Sequence, residues 1–182
     1  MNKGQVKGLI SPLLERIRLR NIARYVKGRK VLDVGCGRCA LRKYLGDIEY
    51  CGLEKDKSID VPDGVKIFYK DVEGDLDGIG KYDTIVLCEV IEHIENPRRA
   101  LINLKQHLNN EGIILISTSI PFRYKIHAYT SKIGITDKEA EHEHKTMLTM
   151  EGIYRLANEA GLKVRKYVKT EFWSKQTAIL EM

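Results

Sequence analysis

Residues 30–45 read Lys30-Val-Leu-Asp-Val-Gly-Cys-Gly-Arg-Cys-Ala-Leu-Arg-Lys-Tyr-Leu45. Lys30 to Val34 has the length and apolar character of a short buried strand, and Gly35-Cys36-Gly37 marks a tight turn. Ala40, Leu41 and Leu45 then recur as the inner face of a helix. A strand that runs through glycines into a helix opens a βαβ unit. Such a unit calls for a parallel sheet covered by helices, with its ligand outside the carboxyl ends of the strands.

The same alternation continues downstream. Tyr50 to Leu53, Val65 to Tyr69 and Tyr82 to Cys88 predict three more buried strands, separated by turn-rich polar sequence. Pro97 suits the first turn of a helix that runs to about Asn109, with Ala100, Leu101, Leu104 and Leu108 inward. Glu111-Gly112 then turns into a strand from Ile113 to Thr118. Glu151 to Ala160 predicts a helix capped by Gly161. Leu162 to Val168 and about Trp173 to Leu180 come next as an antiparallel final pair. Upstream, Ile10, Leu13, Leu14, Ile17, Ile22 and Val26 alternate with arginines, so residues 10–27 read as a basic amphipathic helix ended by Gly28. The fold expected is one α/β domain over residues 1–182. Its sheet is Rossmann-like, doubly wound, seven-stranded and mostly parallel, with an antiparallel last strand and helices on both faces. Residues 120–148 lack clear periodicity and carry Tyr124, His127, Tyr129, His142 and His144, so they read as an insertion on the side of the substrate.

Composition agrees with a single domain. The chain has 182 residues, 43% hydrophobic and 31% charged, with 15 Gly and 4 Pro, enough for one core without disulfides or a structural metal. No apolar run nears the ~18 residues of a membrane span, and the N-terminus does not have the pattern of a signal peptide. A soluble, cytoplasmic protein is expected. Cys36 and Cys39 form a CxxC, but no second ligand pair comes after it at zinc-finger spacing, and Cys51 and Cys88 fall on strands, so reduced thiols are expected. His142-Glu-His144 could offer metal ligands, yet such a pair on a polar loop is usually solvated, and no metal is expected. The net charge of +6 is concentrated at the N-terminus: residues 1–30 hold nine Lys/Arg and one Glu, which leaves the remainder at −2. A basic segment of this kind (residues 1–29) can meet RNA, anionic lipid or a phosphorylated small molecule, or can simply be solvated.

Several strand ends carry acceptor groups. Gly35-x-Gly37-x-x-Ala40 satisfies a dinucleotide fingerprint, and Glu54, 19 residues past Gly35, could accept hydrogen bonds from both ribose hydroxyls. Both features also allow NAD. Asp33, two residues before Gly35, separates the cases: an acidic group beneath the turn suits an ammonium or sulfonium and repels a pyrophosphate. Asp71 can accept from an adenine amine, and Cys88-Glu89 closes the fourth strand.

With these residues in place, the chain resembles the class I S-adenosylmethionine-dependent methyltransferases, in particular the type 11 group with its ubiquinone/menaquinone-biosynthesis-like members. The resemblance spans residues 20–180. It rests on VLDVGCGRC (31–39), GLEKD (52–56), KDVEGDL (70–76), YDTIVLCEVIEHIENP (82–97), ALINLKQHLNNEGIILIS (100–117) and HKTMLTMEGIYRLANEAGLKV (144–164). It implies S-adenosylmethionine as cofactor and S-adenosylhomocysteine as product. It also implies that Asp33, Gly35, Cys36 and Gly37 line the methionine and ribose part, that Glu54, with Lys55 beside it, holds the ribose, and that Asp71 and Val72 meet the adenine. Cys88 and Glu89 would flank the sulfonium. Two positions depart from the family: Cys39 stands where a third glycine is usual, and Glu54 replaces the commoner Asp.

Methyl transfer from a sulfonium is an in-line displacement, so positioning supplies most of the acceleration. A hydroxyl or amine acceptor also needs a base, for which Glu89, His93 and His144 are candidates. His93 could equally pack at a helix start. The acceptor expected is a small molecule, a lipid or a sugar. The alternatives are an NAD-dependent oxidoreductase and an RNA-associated methyltransferase or binding module.

Overall fold

Along β1 (Lys30–Val34) every residue after Lys30 is buried, on both faces of the sheet, as suits a central parallel strand. In the computed structural model, which describes residues 11–120, 148–170 and 175–182, β1 lies between β2 (Glu49–Glu54) and β4 (Tyr82–Cys88), parallel to both. β3 (Lys66–Tyr69) pairs with β2, and β5 (Leu108–Ser119) with β4, also in parallel. β7 (Lys175–Glu181) runs antiparallel between β5 and β6 (Lys163–Thr170). The order β3-β2-β1-β4-β5-β7-β6 is the doubly wound, mostly parallel sheet expected from the sequence. Strand order reverses between β1 and β4, which opens a crevice at their carboxyl ends.

Consecutive residues feed two cores. Val31, Val86 and Leu115 face Leu19 and Ile22 of α1 (Ser11–Ala23) and Leu41 of a 3-10 helix at Ala40–Tyr44. Leu32, Leu87 and Ile116 face the other way, toward Leu101 and Leu104 of α2 (Pro97–Lys105) and Ile153 and Leu156 of α3 (Met150–Glu159). Asn96 and Thr149 cap the last two helices, accepting from the Arg99 and Gly152 amides at 3.0 Å each.

Three helices differ from their sequence outlines. α1 stops at Ala23, short of Gly28, because the chain turns to dock on β4: the Lys27 amide donates to Thr84 Oγ1 (2.9 Å), and the Arg29 and Lys30 amides donate to Asp83 Oδ2 (2.8 and 3.0 Å). The element after the glycine turn is a 3-10 helix of five residues. α2 ends at Lys105 because Leu108 already pairs with Tyr82, so β5 begins before the Glu111-Gly112 turn and absorbs it at an irregularity between Tyr82 and Thr84. The β2–β3 and β3–β4 crossovers are turn-rich and carry no helix. Among the described residues no helix is long and apolar enough to cross a membrane.

Candidate active site

The carboxyl ends of β3, β2, β1 and β4 lie side by side, and the Gly35–Gly37 turn folds over them. Gly35 sits at φ +62°, and a Cβ there would come 2.6 Å from Val90 Cγ2, so glycine is required both for conformation and for space. Its amide donates to Leu53 O at 2.7 Å, and the Cys36 amide reaches the same oxygen at 3.4 Å. The turn therefore lies directly on β2. That approach depends on Gly52, where a Cβ would stand 2.5 Å from Cys36 Sγ and 2.6 Å from Ile67 Cδ1. Cys39, at the position where the resembled family has a third glycine, also adopts the left-handed conformation (φ 57°, ψ 36°) and heads the 3-10 helix. A side chain in that region costs about 1–2 kcal/mol.

A cleft of about 270 Å³ opens beside the turn. Of the residues singled out in the sequence, it brings together Gly35, Glu54, Lys55, Asp71, Val72, Glu89 and His93. Asp33, Cys36, Gly37 and Cys88 do not line it. His144, like Tyr124 and Tyr129, lies outside the described residues. Glu54 is nearly buried, at 9% exposure. Its Oε2 accepts from the Gly37 amide (3.2 Å), and its Oε1 accepts from the Lys55 and Asp56 amides (2.8 and 3.1 Å). Asp71 Oδ1 accepts from the Glu73 amide at 2.9 Å, which leaves its second oxygen toward solvent and the cleft.

The balance of charge in the cleft is acidic. Glu54, Asp71, Glu73 and Glu89 line it against Lys55 and Lys70, and the Lys70 ammonium is turned to the carbonyls of Asp75 and Asp77 (3.2 and 2.8 Å). The amides of Gly35, Cys36 and Gly37 are already engaged inside the protein. A pyrophosphate would meet carboxylates and no free cradle of N–H groups, whereas hydroxyls, amines and a positive centre would meet acceptors.

Asp33 lies beneath the turn, 4% exposed, and accepts a 2.6 Å hydrogen bond from the Tyr50 hydroxyl. Burial pushes its carboxyl from 3.8 up to about 7, opposed by the Tyr50 hydrogen bond and increased by Glu54. The folded protein thus holds this proton more tightly than the unfolded chain does. Its stabilising effect is complete below about pH 4 and is lost as pH rises through about 7. Asp33→Asn keeps an acceptor for Tyr50 and removes the charge. The variant is expected to melt higher than the parent at pH 8 and nearly alike at pH 4; parallel melting curves that ignore pH would contradict the assignment. Burial also pushes the Cys88 thiol up to about 12, and burial followed by Cys39 raises Cys36, so neither is a ready thiolate.

Four residues at the site carry no local sequence signal: Tyr50 beneath Asp33, Val90 against Gly35, Lys175 on Glu89, and Glu73. The Glu73 carboxylate accepts from the Glu95 and Asn96 amides (3.2 and 2.8 Å) and holds the start of α2 to the β3–β4 crossover. Only their convergence in space identifies them.

Known proteins share this fold. A family model described as a methyltransferase domain matches residues 5–167. A ubiquinone biosynthesis O-methyltransferase of Rickettsia canadensis is 27% identical over 153 residues, 75% of this chain and 64% of the relative, so the chain spans a little under two thirds of that protein's length. Among solved structures, the plantazolicin methyltransferase BpumL in complex with SAH superposes with a TM-score of 0.69 at 15% identity, covering 94% of this chain and 85% of that one. The magnesium protoporphyrin IX methyltransferase of Synechocystis PCC 6803 with bound SAH gives 0.67 at 14% identity, covering 99% and 89%. At such identities the structures speak for the fold, and the family model for descent. The chain belongs to the class I S-adenosylmethionine-dependent methyltransferase family.

Proposed function

We propose that the chain transfers a methyl group from S-adenosylmethionine to a hydroxyl of a small-molecule acceptor. The observation that carries this reading is the set of carboxylates at the ends of β2, β3 and β4, around a turn after β1 whose own amides are already engaged. The O-methyltransferase names of the Rickettsia relatives support oxygen as the nucleophile.

The residues fit the cofactor's chemistry. Glu54 keeps lone pairs for the ribose hydroxyls beyond the three amides it accepts from, and Asp71 with Val72 offers one acceptor and one apolar wall to an adenine. Lys55 and Gly35 line the cleft beside them, Cys36 and Gly37 shape the turn, and Asp33 lies beneath it, held by the Tyr50 hydroxyl. The bound cofactor supplies an electrophilic methyl group on a sulfonium. Cys88 ends β4 and Glu89 follows it beside that region, where Glu89 is the group best placed to take a proton; His93 lines the same cleft but is exposed. The acidic lining and the engagement of the Gly35, Cys36 and Gly37 amides both count against a nicotinamide dinucleotide.

In this account residues 1–182 form one methyltransferase domain acting in the cytoplasm, with residues 120–148 on the acceptor side; all of that segment but Ile120 and Leu148 lies outside the described residues. Arg16 and Arg20 of α1 and Arg24 just after it are exposed and are read as solvated charges. The test is incubation with methyl-labelled S-adenosylmethionine and fractionated metabolites. Label is expected in a hydroxyl-bearing small molecule as a methyl ether. Label confined to RNA would overturn the small-molecule acceptor.

A further inference from the structure

Three buried side-chain polar atoms have no hydrogen-bond partner among the described residues: Arg18 Nε, Glu89 Oε1 and Glu92 Oε2. Their residues gather at one place. Glu89 comes directly after β4 in the left-handed conformation (φ 57°), an uncommon state for a residue with a side chain, which the surroundings must hold. Its Oε2 is taken by the Lys175 ammonium, faces Ser119 Oγ at 3.4 Å, and has Arg18 Nη1 at 3.9 Å. Lys175 Nζ also donates to Ser119 Oγ at 2.7 Å and is only about 10% exposed. Arg18 from α1, Glu89 from β4, Ser119 from β5 and Lys175 from β7 therefore converge from four elements, and Glu89 also lines the cofactor cleft. Burial, then the charge of Glu89, holds the Glu92 carboxyl above its ordinary value, which favours its neutral form.

Two cations thus surround one carboxylate, beside an unpaired acceptor on Glu89 and an unpaired donor on Arg18. A pair present for stability alone would use its polar atoms, because a buried atom left unpaired costs about 1–3 kcal/mol. Next to the carboxyl of Glu92, with its own unpaired Oε2, Glu89 and Arg18 leave one acceptor and one cationic donor, which matches a hydroxyl that gives up its proton and becomes an oxyanion. We infer that Arg18, Glu89 and Lys175 form the polar anchor for the methyl acceptor: Glu89 Oε1 takes the hydroxyl proton while Arg18 and Lys175 hold the oxygen as its charge develops. The inference rests on the methyltransferase reading and adds to it the class of acceptor. A carboxylate is a weak base, so the hydroxyl must be an acidic one, phenolic or enolic, near the tyrosine value of about 10 and well below an alkyl alcohol.

The step balances. The hydroxyl proton passes to Glu89, and the oxygen forms a bond to the methyl carbon as the carbon–sulfur bond breaks. The bonding pair stays on sulfur and leaves neutral S-adenosylhomocysteine. Glu89 then returns its proton to solvent. The excess positive charge of the anchor is present before and after, so it favours the anion throughout.

Para-nitrophenol tests the anchor without knowledge of the natural acceptor, because its anion and its neutral form absorb differently. Titrated into the protein saturated with S-adenosylhomocysteine, the bound phenol is expected to ionise about one pH unit below the free phenol, roughly a tenfold change in its equilibrium. Lys175→Met and Arg18→Met should each abolish that shift while keeping S-adenosylhomocysteine affinity, and Lys175→Arg should restore most of it. Since Lys175 is buried and its methionine variant can fail to fold, Arg18→Met, at the less buried of the two cations (22% against 10% exposed), is decisive alone. A shift that survives Arg18→Met, or no ionisation shift in the parent protein, overturns the anchor. Failure to bind S-adenosylhomocysteine at all would instead strike the cofactor reading on which the inference rests.

Discussion

Gly35→Ala is expected to lower stability by about 2–4 kcal/mol and to abolish cofactor binding. About 1 kcal/mol comes from forcing a side chain into φ +62°. The rest comes from overpacking: the new methyl would stand 2.6 Å from Val90 Cγ2 and 3.1 Å from Val90 Cγ1, closer than van der Waals contact allows where the end of β1 meets the segment after β4. Either Val90 moves, which shifts the cleft wall, or the turn lifts from β2 and breaks the 2.7 Å bond from the Gly35 amide to Leu53 O. Val90→Ala in the same chain removes the contact but not the dihedral cost. It should recover more than half of the lost stability, and chemical denaturation of the two single variants and the double variant measures that coupling. Additive losses would show that Val90 does not set the turn.

Glu54→Ala carries the second large effect, and it is twofold. The carboxylate accepts from three backbone amides, of Gly37, Lys55 and Asp56, so its removal leaves both the glycine turn and the turn after β2 without their acceptor. A loss of about 2–4 kcal/mol in stability is expected, since hydrogen bonds to charged groups contribute about 1.5–3 kcal/mol each and do not add fully. Cofactor affinity should fall by at least the ~1.5 kcal/mol of one such bond. Glu54→Gln keeps one acceptor oxygen and should recover part of the stability while remaining weak toward the ribose. Calorimetry paired with melting separates the two roles. Unchanged melting with reduced affinity would make Glu54 a ligand group alone, and reduced melting with unchanged affinity would make it a structural one.

The sheet was legible because its strands announce themselves locally. Val31 to Val34 and Ile113 to Thr118 are unbroken or nearly unbroken apolar runs, and a strand buried on both faces needs nothing else. The carboxylates at the strand ends were legible for the same reason, since Glu54 and Asp71 sit where a local pattern stops. From the residues alone, however, Glu54 reads as a ligand group. Its bonds to Gly37, Lys55 and Asp56 show that it also ties the turns together. The segment after Gly37 carried helical spacing, but Cys39 enters it in the left-handed region, and Ala40 to Tyr44 form a single 3-10 stretch.

The cluster around Glu89 was the hidden part. Arg18 and Lys175 are 157 positions apart in the sequence and meet only because α1 packs on one face of the sheet while β7 inserts antiparallel between β5 and β6. No period or motif joins them. Tyr50 is similar: it occupies an ordinary strand position, and its hydroxyl matters because the parallel register sets it beside β1, where it reaches Asp33.

Calorimetric titration of the protein with S-adenosylhomocysteine and, separately, with NAD+ addresses the cleft itself. Acceptor carboxylates at the ends of β2, β3 and β4 and turn amides already committed to Leu53 and Glu54 predict that S-adenosylhomocysteine binds at least about a hundredfold more tightly, a difference of ~2.7 kcal/mol. The preference should shrink in Glu54→Ala. Equal or tighter binding of NAD+ would contradict the assignment of this cleft to a methyl donor.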